Sequence, residues 1–150
     1  MRFEVILKYI ATLGFIGFIP FAPGTFGSLF SFIVFILLEP AVTLHIFVLL
    51  LVVPLGIISS HIGEKLLNEK DSSHIVIDEF CGYLFSMLFI PFSITNALTA
   101  FFLFRVFDIL KPFPIRRIET TLKGGYGVMA DDIMAALYAN VILHIWIAIH

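Results

Sequence analysis

Five carboxylates dominate the chemistry open to this chain: Asp78 and Glu79 side by side, Asp108 alone, and Asp131 and Asp132 side by side. Each pair opens a predicted helix and Asp108 closes another, so bundling those helices would bring all five together. Carboxylates packed without partners repel one another and resist burial, and a cation among them relieves both. An all-oxygen donor set suits a hard ion such as Mg²⁺, Ca²⁺ or Mn²⁺. The helix dipole also favours acids at helix starts, which would account for each pair taken alone. The chain has only eleven acids, and their concentration at one set of helix ends favours the metal reading, with Asp78, Glu79, Asp131 and Asp132 as ligands.

Groups suited to an anion lie nearby in sequence. Arg105, Asp108 and Lys111 share a helix face at spacings of three. Either they form a local ion-pair ladder, or Asp108 joins the acids while Arg105 and Lys111 meet a phosphate. Pro112 and Pro114 end that helix, and Arg116 and Arg117 begin the next. Bases there oppose the dipole, and a bound anion would offset that. Pro23-Gly24-Thr25-Phe26-Gly27-Ser28 precedes another helix. Its glycines allow close backbone approach and its N–H groups suit phosphate, with the Thr25 and Ser28 hydroxyls adding donors. Taken alone, the stretch reads better as a Pro/Gly turn with Ser28 as N-cap. It is not a P-loop, since no Gly-Lys-Ser/Thr follows. The single Cys81 excludes an internal disulfide and, with Met87 where an arginine would be required, a cysteine-phosphatase loop. His74 reads as a polar loop residue, and His45, His61, His144 and His150 as interface or packing residues.

The elements that must position these groups are helices in a bilayer. Of 150 residues, 60% are hydrophobic and 13% charged, against roughly 25% charged in soluble domains; the mean hydropathy is +1.07. A net charge of −2 offers no basic field for nucleic acid. Stretches 9–38, 40–63, 80–104 and 133–150 carry no charged side chain. Only helices and closed barrels satisfy their backbone in lipid, and no alternating strand pattern is present. The spacing of prolines and glycines predicts helices near Phe3–Ile19, Ser28–Leu38, Val42–Ile62, Ile75–Phe89, Ile94–Leu110 and Asp131–Ile149. The fourth and fifth form a hairpin about Pro91–Asn96. Arg2, Glu4 and Lys8 leave open whether the first helix crosses or lies in the interface. The expectation is an all-α, polytopic membrane helical bundle with interrupted helices, one domain over residues 1–150, and no removable signal peptide. Lys and Arg gather at Arg2–Lys8, Glu64–Glu79 and Arg105–Asp132, while the turns at Glu39-Pro40 and Pro91–Asn96 have no base. The charged loops, and with them the acids, are therefore expected in the cytoplasm.

Four blocks together resemble the phosphatidylglycerophosphatase A family: Pro23-Gly24-Thr25-Phe26-Gly27-Ser28-Leu29, Ile75-Val76-Ile77-Asp78-Glu79-Phe80-Cys81-Gly82, Phe104 through Ile115, and Gly124 through Asp132. They occur in family order and span nearly the whole chain. The resemblance implies a Mg²⁺-dependent phosphatase of the bacterial inner membrane that converts the lipid phosphatidylglycerophosphate to phosphatidylglycerol and phosphate. Asp78, Asp108 and Asp132 would then be catalytic, and Thr25, Ser28, Arg105, Lys111 and Arg116 would hold the phosphate. Glu119 stands where members often carry Asp, and is left outside the expected core. The rival is a cation transporter using the same acids; against it, those acids sit at helix ends, and the apolar stretches 42–62 and 85–104 carry no Asp, Glu, Lys or Arg to line an ion path.

Overall fold

The computed structural model describes residues 2–70 and 72–149, and every regular element among them is helical. The helices are α1 (Arg2–Ala11), α2 (Pro23–Leu38), α3 (Val42–Leu67), α4 (Ile77–Ser86), α5 (Ile94–Leu110), α6 (Ile115–Thr121) and α7 (Gly125–Ile149), with a short 3-10 turn at Ile16–Phe18. His150 lies outside the described residues.

α4 is the axis of the molecule. It packs against α2, α3, α5 and α7, and Tyr83, Leu84 and Met87 from it and its C-cap are buried. Against them lie Phe104 of α5 and a stripe of small residues on α7, Ala135, Ala136 and Ala139, all fully buried. Small side chains let helices approach closely where lipid supplies no hydrophobic drive for association.

α4 is shorter than the Ile75–Phe89 helix expected from hydropathy. Ending a helix leaves carbonyls without intrahelical donors, and side chains from other helices supply them here. His45 Nε2 on α3 donates to the Leu84 carbonyl at 2.9 Å. Asn140 Nδ2 on α7 donates to the carbonyls of Ser86 and Leu88 at 3.0 and 2.8 Å. These donors make the early break tolerable inside an apolar body. Ten residues rise about 15 Å, so α4 is covered by the bundle rather than crossing on its own.

The first helix also differs. It ends at Ala11 rather than near Ile19 because Leu13 and Gly14 take positive φ (45° and 68°) and turn the chain. α1 is then too short to cross a bilayer. It buries Leu7 and Ala11 and leaves Phe3, Val5, Ile6 and Tyr9 exposed.

α3 and α7 are long and apolar enough to cross a membrane. Only 22% of the most apolar stretch of α3 and 28% of that of α7 is buried. Their apolar surface therefore faces mostly outward, unlike a core helix of a soluble protein. α7 begins six residues before the expected Asp131. Its start fits against α3 because Gly125 has no side chain: a Cβ there would lie 1.9 Å from the Ile57 carbonyl oxygen. Backbone cannot swing aside as a side chain can. Gly125→Ala is expected to destabilise the fold by about 1–3 kcal/mol, read as a lower thermal midpoint in detergent; an unchanged midpoint would contradict this close packing.

Candidate active site

The start of α2, the start of α4, the end of α5 and the second turn of α7 meet at one end of the bundle, and the acids meet there. Asp78, Glu79 and Asp132 can each offer a carboxylate oxygen such that all three lie within 4.8 Å of one another. Asp78 and Asp132 are buried, 8% and 3% exposed. Asp78 Oδ1, Glu79 Oε2 and Asp132 Oδ2 are buried without a hydrogen-bond partner. Buried polar atoms are nearly always satisfied, so three neighbouring carboxylates, each with an orphaned oxygen, fit a bound hard cation. Burial above all, then the Glu79 and Asp132 charges, push the Asp78 carboxyl well above the usual carboxylate range. Glu79 is pushed up to about 7, chiefly by burial.

Gly24 forms the wall on the α2 side. α2 starts at Pro23 rather than Ser28, so Gly24 and Thr25 belong to its first turn, whose N–H groups have no intrahelical acceptor. A Cβ on Gly24 would lie 2.0 Å from Glu79 Oε1. Gly24→Ala is expected to displace the Glu79 carboxylate and weaken divalent-cation binding at the trio by about tenfold, read by cation titration of the protein, with helicity retained. Unchanged cation binding would place Glu79 outside the cluster.

Two ion-pair groups flank the carboxylate trio. Arg105 Nη1 donates to Asp108 Oδ2 at 2.6 Å and to Ser28 Oγ at 3.3 Å, while its Nε is buried without a partner. Ser28 Oγ in turn donates to the Gly24 carbonyl at 2.9 Å, so Ser28 braces Arg105 against α2 instead of capping the helix. Asp108 lies among the carboxylates that act on Asp132. On the other flank, Lys111 Nζ donates to Asp131 Oδ2 at 2.7 Å and Glu119 Oε1 at 2.6 Å. Burial would push the Lys111 ammonium down, but these two carboxylates outweigh it and hold it above its ordinary value.

Of the residues singled out from sequence, Asp78, Glu79 and Asp132 form the trio, and Asp108, Arg105 and Ser28 stand together beside it. Asp131 turns instead to Lys111. Thr25 is half-buried in the first turn of α2, and its hydroxyl has no hydrogen bond among the described residues. Arg116 is exposed on α6, away from the trio. Glu119, left outside the expected core, is the second acid on Lys111; its link across the Pro112–Pro114 turn is tertiary and has no periodic signal. His74 is a loop residue as read: its Nδ1 donates to the Gly17 carbonyl at 2.8 Å, and its ring stacks on Phe18.

The profile of the phosphatidylglycerophosphatase A family matches residues 9–147, which contain every one of these groups. The chain belongs to that family. Similar proteins include a phosphatidylglycerophosphatase A of Haemophilus influenzae, 49% identical over 74 residues, covering 49% of this chain and 45% of the relative. Another of that name, from Escherichia coli, is 33% identical over 102 residues, covering 67% of this chain and 59% of the relative. A protein of Bacteroides thetaiotaomicron named as a putative phosphatidylinositol-3-phosphatase is 39% identical over 77 residues, covering 49% of this chain and 48% of the relative. The matched segments thus span about half the length of these relatives. No solved structure matches the chain. Membership in the phosphatidylglycerophosphatase A family agrees with the four sequence blocks, each of which supplies part of the polar end of the bundle.

Proposed function

We propose that this protein is a Mg²⁺-dependent lipid phosphatase that hydrolyses phosphatidylglycerophosphate to phosphatidylglycerol and phosphate. The observation that carries the reading is the trio Asp78, Glu79 and Asp132, two buried carboxylates and one half-buried, each with a buried oxygen that has no hydrogen-bond partner, at the polar end of an otherwise apolar bundle. Asp78, Glu79 and Asp132 would hold the metal. Bound there, it supplies charge neutralisation for the phosphoryl oxygens and acidification of the attacking water.

The remaining steps belong to the protein's own side chains. Arg105 is fixed by Asp108 and Ser28, and its unpaired Nε edge receives a phosphate oxygen. The N–H groups of Gly24 and Thr25, in the first turn of α2 and without intrahelical acceptors, would add donors for the phosphate. Asp108 orients the water. The P–O bond to water forms, the P–O bond to glycerol breaks, and the glycerol oxygen leaves with a proton. Lys111, held by Asp131 and Glu119, keeps α6 docked beside the site and neutralises Asp131. Catalysis of this kind is mainly positioning and electrostatics.

The membrane arrangement follows from the same end-to-end polarity. α3 and α7 cross a bacterial inner membrane in a multi-pass bundle. The charged end faces the cytoplasm, because that end carries Lys65, Lys70, Arg105, Lys111, Arg116, Arg117 and Lys123 while the opposite turns carry no base. The acyl chains of the substrate stay in lipid and only the headgroup enters.

Substrate competition in detergent micelles tests this reading. Phosphatidylglycerophosphate is expected to be hydrolysed in preference to phosphatidylinositol 3-phosphate, the substrate class named for the Bacteroides thetaiotaomicron relative. The reverse preference would change the assigned substrate. Cation uptake into vesicles with no phosphate release from either lipid would favour a transporter.

A further inference from the structure

Lys111, whose ammonium bonds Asp131 next to the trio's Asp132, lines an open recess of about 570 Å³ together with Phe113, Arg116, Arg117 and Thr120. Its inner wall is Lys111, whose charge is already matched by Asp131 and Glu119. The uncompensated charge comes from Arg116 and Arg117, both exposed, and no ion pair among the described residues engages either guanidinium. Their positions are nevertheless fixed relative to the trio. Ile115 next to them is fully buried, the Tyr138 hydroxyl on α7 donates to the Phe113 carbonyl at 3.0 Å, and the Lys111–Glu119 bond ties α6 to the end of α5. Phe113 of the recess lining is 75% exposed, and Leu110 and Ile109 at the end of α5 are exposed by 71% and 69%. The recess therefore combines unpaired guanidinia with a surface suited to acyl chains or the bilayer interface.

Phosphatidylglycerophosphate carries two phosphates joined by one glycerol: the monoester that is removed and a diester that remains on the lipid. If the monoester meets the trio and Arg105, the diester lies one glycerol away on the side of the acyl chains, and it brings a negative charge next to a site already crowded with carboxylates. We propose that Arg116 and Arg117 form a separate subsite that binds this lipid phosphodiester and not the phosphate that is hydrolysed. The assignment rests on the phosphatase reading above. It separates two tasks: the trio and Arg105 act on the monoester, and the arginine pair selects a substrate that also carries a diester. Planar guanidinia suit phosphate oxygens by paired hydrogen bonds, and glutamine keeps a polar side chain while removing both the charge and the paired donors.

The test uses the full chain and its R116Q/R117Q variant in uncharged detergent micelles, with three ligands: phosphatidylglycerophosphate as substrate, phosphatidylglycerol as the product that keeps the diester, and inorganic phosphate as the product that does not. The variant is expected to show a KM for the lipid raised by about tenfold or more. Its inhibition constant for phosphatidylglycerol should rise in step, with that for inorganic phosphate unchanged and the helical circular dichroism retained. An unchanged KM, or unchanged inhibition by phosphatidylglycerol, would overturn the subsite. Weakened inhibition by inorganic phosphate in parallel would also overturn it, by placing the arginines at the hydrolysed phosphate. Absence of phosphate release by the parent chain would be a different failure, removing the phosphatase reading and the subsite with it.

Discussion

Asp132→Asn and Asp78→Asn are each expected to lower phosphate release by about 10²–10³-fold or more while the helical fold persists. Both side chains are buried, and both contribute an unpaired oxygen to the same small volume. An amide replaces one anionic donor by a neutral group, so a hard cation loses both a ligand and a charge. The fold should not suffer. Asn matches the neutral acid in shape, and burial together with the neighbouring charges already pushes the Asp78 carboxyl toward its neutral form when no cation is present. Thermal unfolding separates this from general damage. A ligand that binds only the folded state raises its stability by mass action, so Mg²⁺ should raise the midpoint of the parent chain and leave that of either variant unmoved. Wild-type turnover in both variants would show that the trio is not where the chemistry occurs.

Arg105→Ala is expected to reduce kcat/KM by about 10²-fold or more, the scale for removing one partner of a buried charge pair, about 2–5 kcal/mol. Two losses combine. Asp108, among the carboxylates acting on Asp132, loses the guanidinium at 2.6 Å, and the substrate loses the unpaired Nε edge. Arg105→Lys should recover little, because an ammonium cannot bond Asp108, Ser28 and a phosphate oxygen from one plane. The discriminating readout is the dependence of rate on lipid phosphate concentration, which should shift to higher concentration in both variants. If only the thermal midpoint falls and that dependence stays put, Arg105 is a brace for Asp108 and has no contact with substrate.

Much of this arrangement is legible in the residues. The span Ile94–Leu110 is found as expected because its ends are written locally. The Ser93 hydroxyl accepts from the Asn96 N–H at 3.0 Å, and Lys111 in the left-handed region, with Pro112 after it, stops the helix. The convergence of Asp78, Glu79 and Asp132 is likewise foreshadowed by the scarcity of charge in a chain this apolar. Where the reading of boundaries fails, a local signal is overridden by a neighbour. Gly124-Gly125-Tyr126-Gly127 looks like a turn, yet the helix already runs through it because Gly125 must admit the Ile57 carbonyl. Pro23-Gly24 looks like loop, yet Pro23 occupies the first helical position, where a missing N–H costs nothing. α4 stops early for donors that sit on α3 and α7, remote in sequence. The helix-dipole account of Asp131 and Asp132 as helix-opening acids also lapses, since α7 begins at Gly125 and places them in its second turn.

The division of labour between the two acids of that pair could not be read from adjacency. Neighbouring residues on a helix point about 100° apart, so Asp132 turns to the trio while Asp131 turns to Lys111. For the same reason the pairing of Lys111 with Glu119 is invisible to any helical spacing. Lys111 caps α5 and Glu119 lies on α6, and they meet because α6 folds back against α7.

The most direct measurement is phosphate release from phosphatidylglycerophosphate by the purified chain in detergent, first in EDTA and then across a Mg²⁺ titration. Asp78, Glu79 and Asp132 acting as a metal site predicts no release in EDTA and a saturable return of activity as Mg²⁺ is added. Undiminished release in EDTA from a well-folded preparation would contradict it.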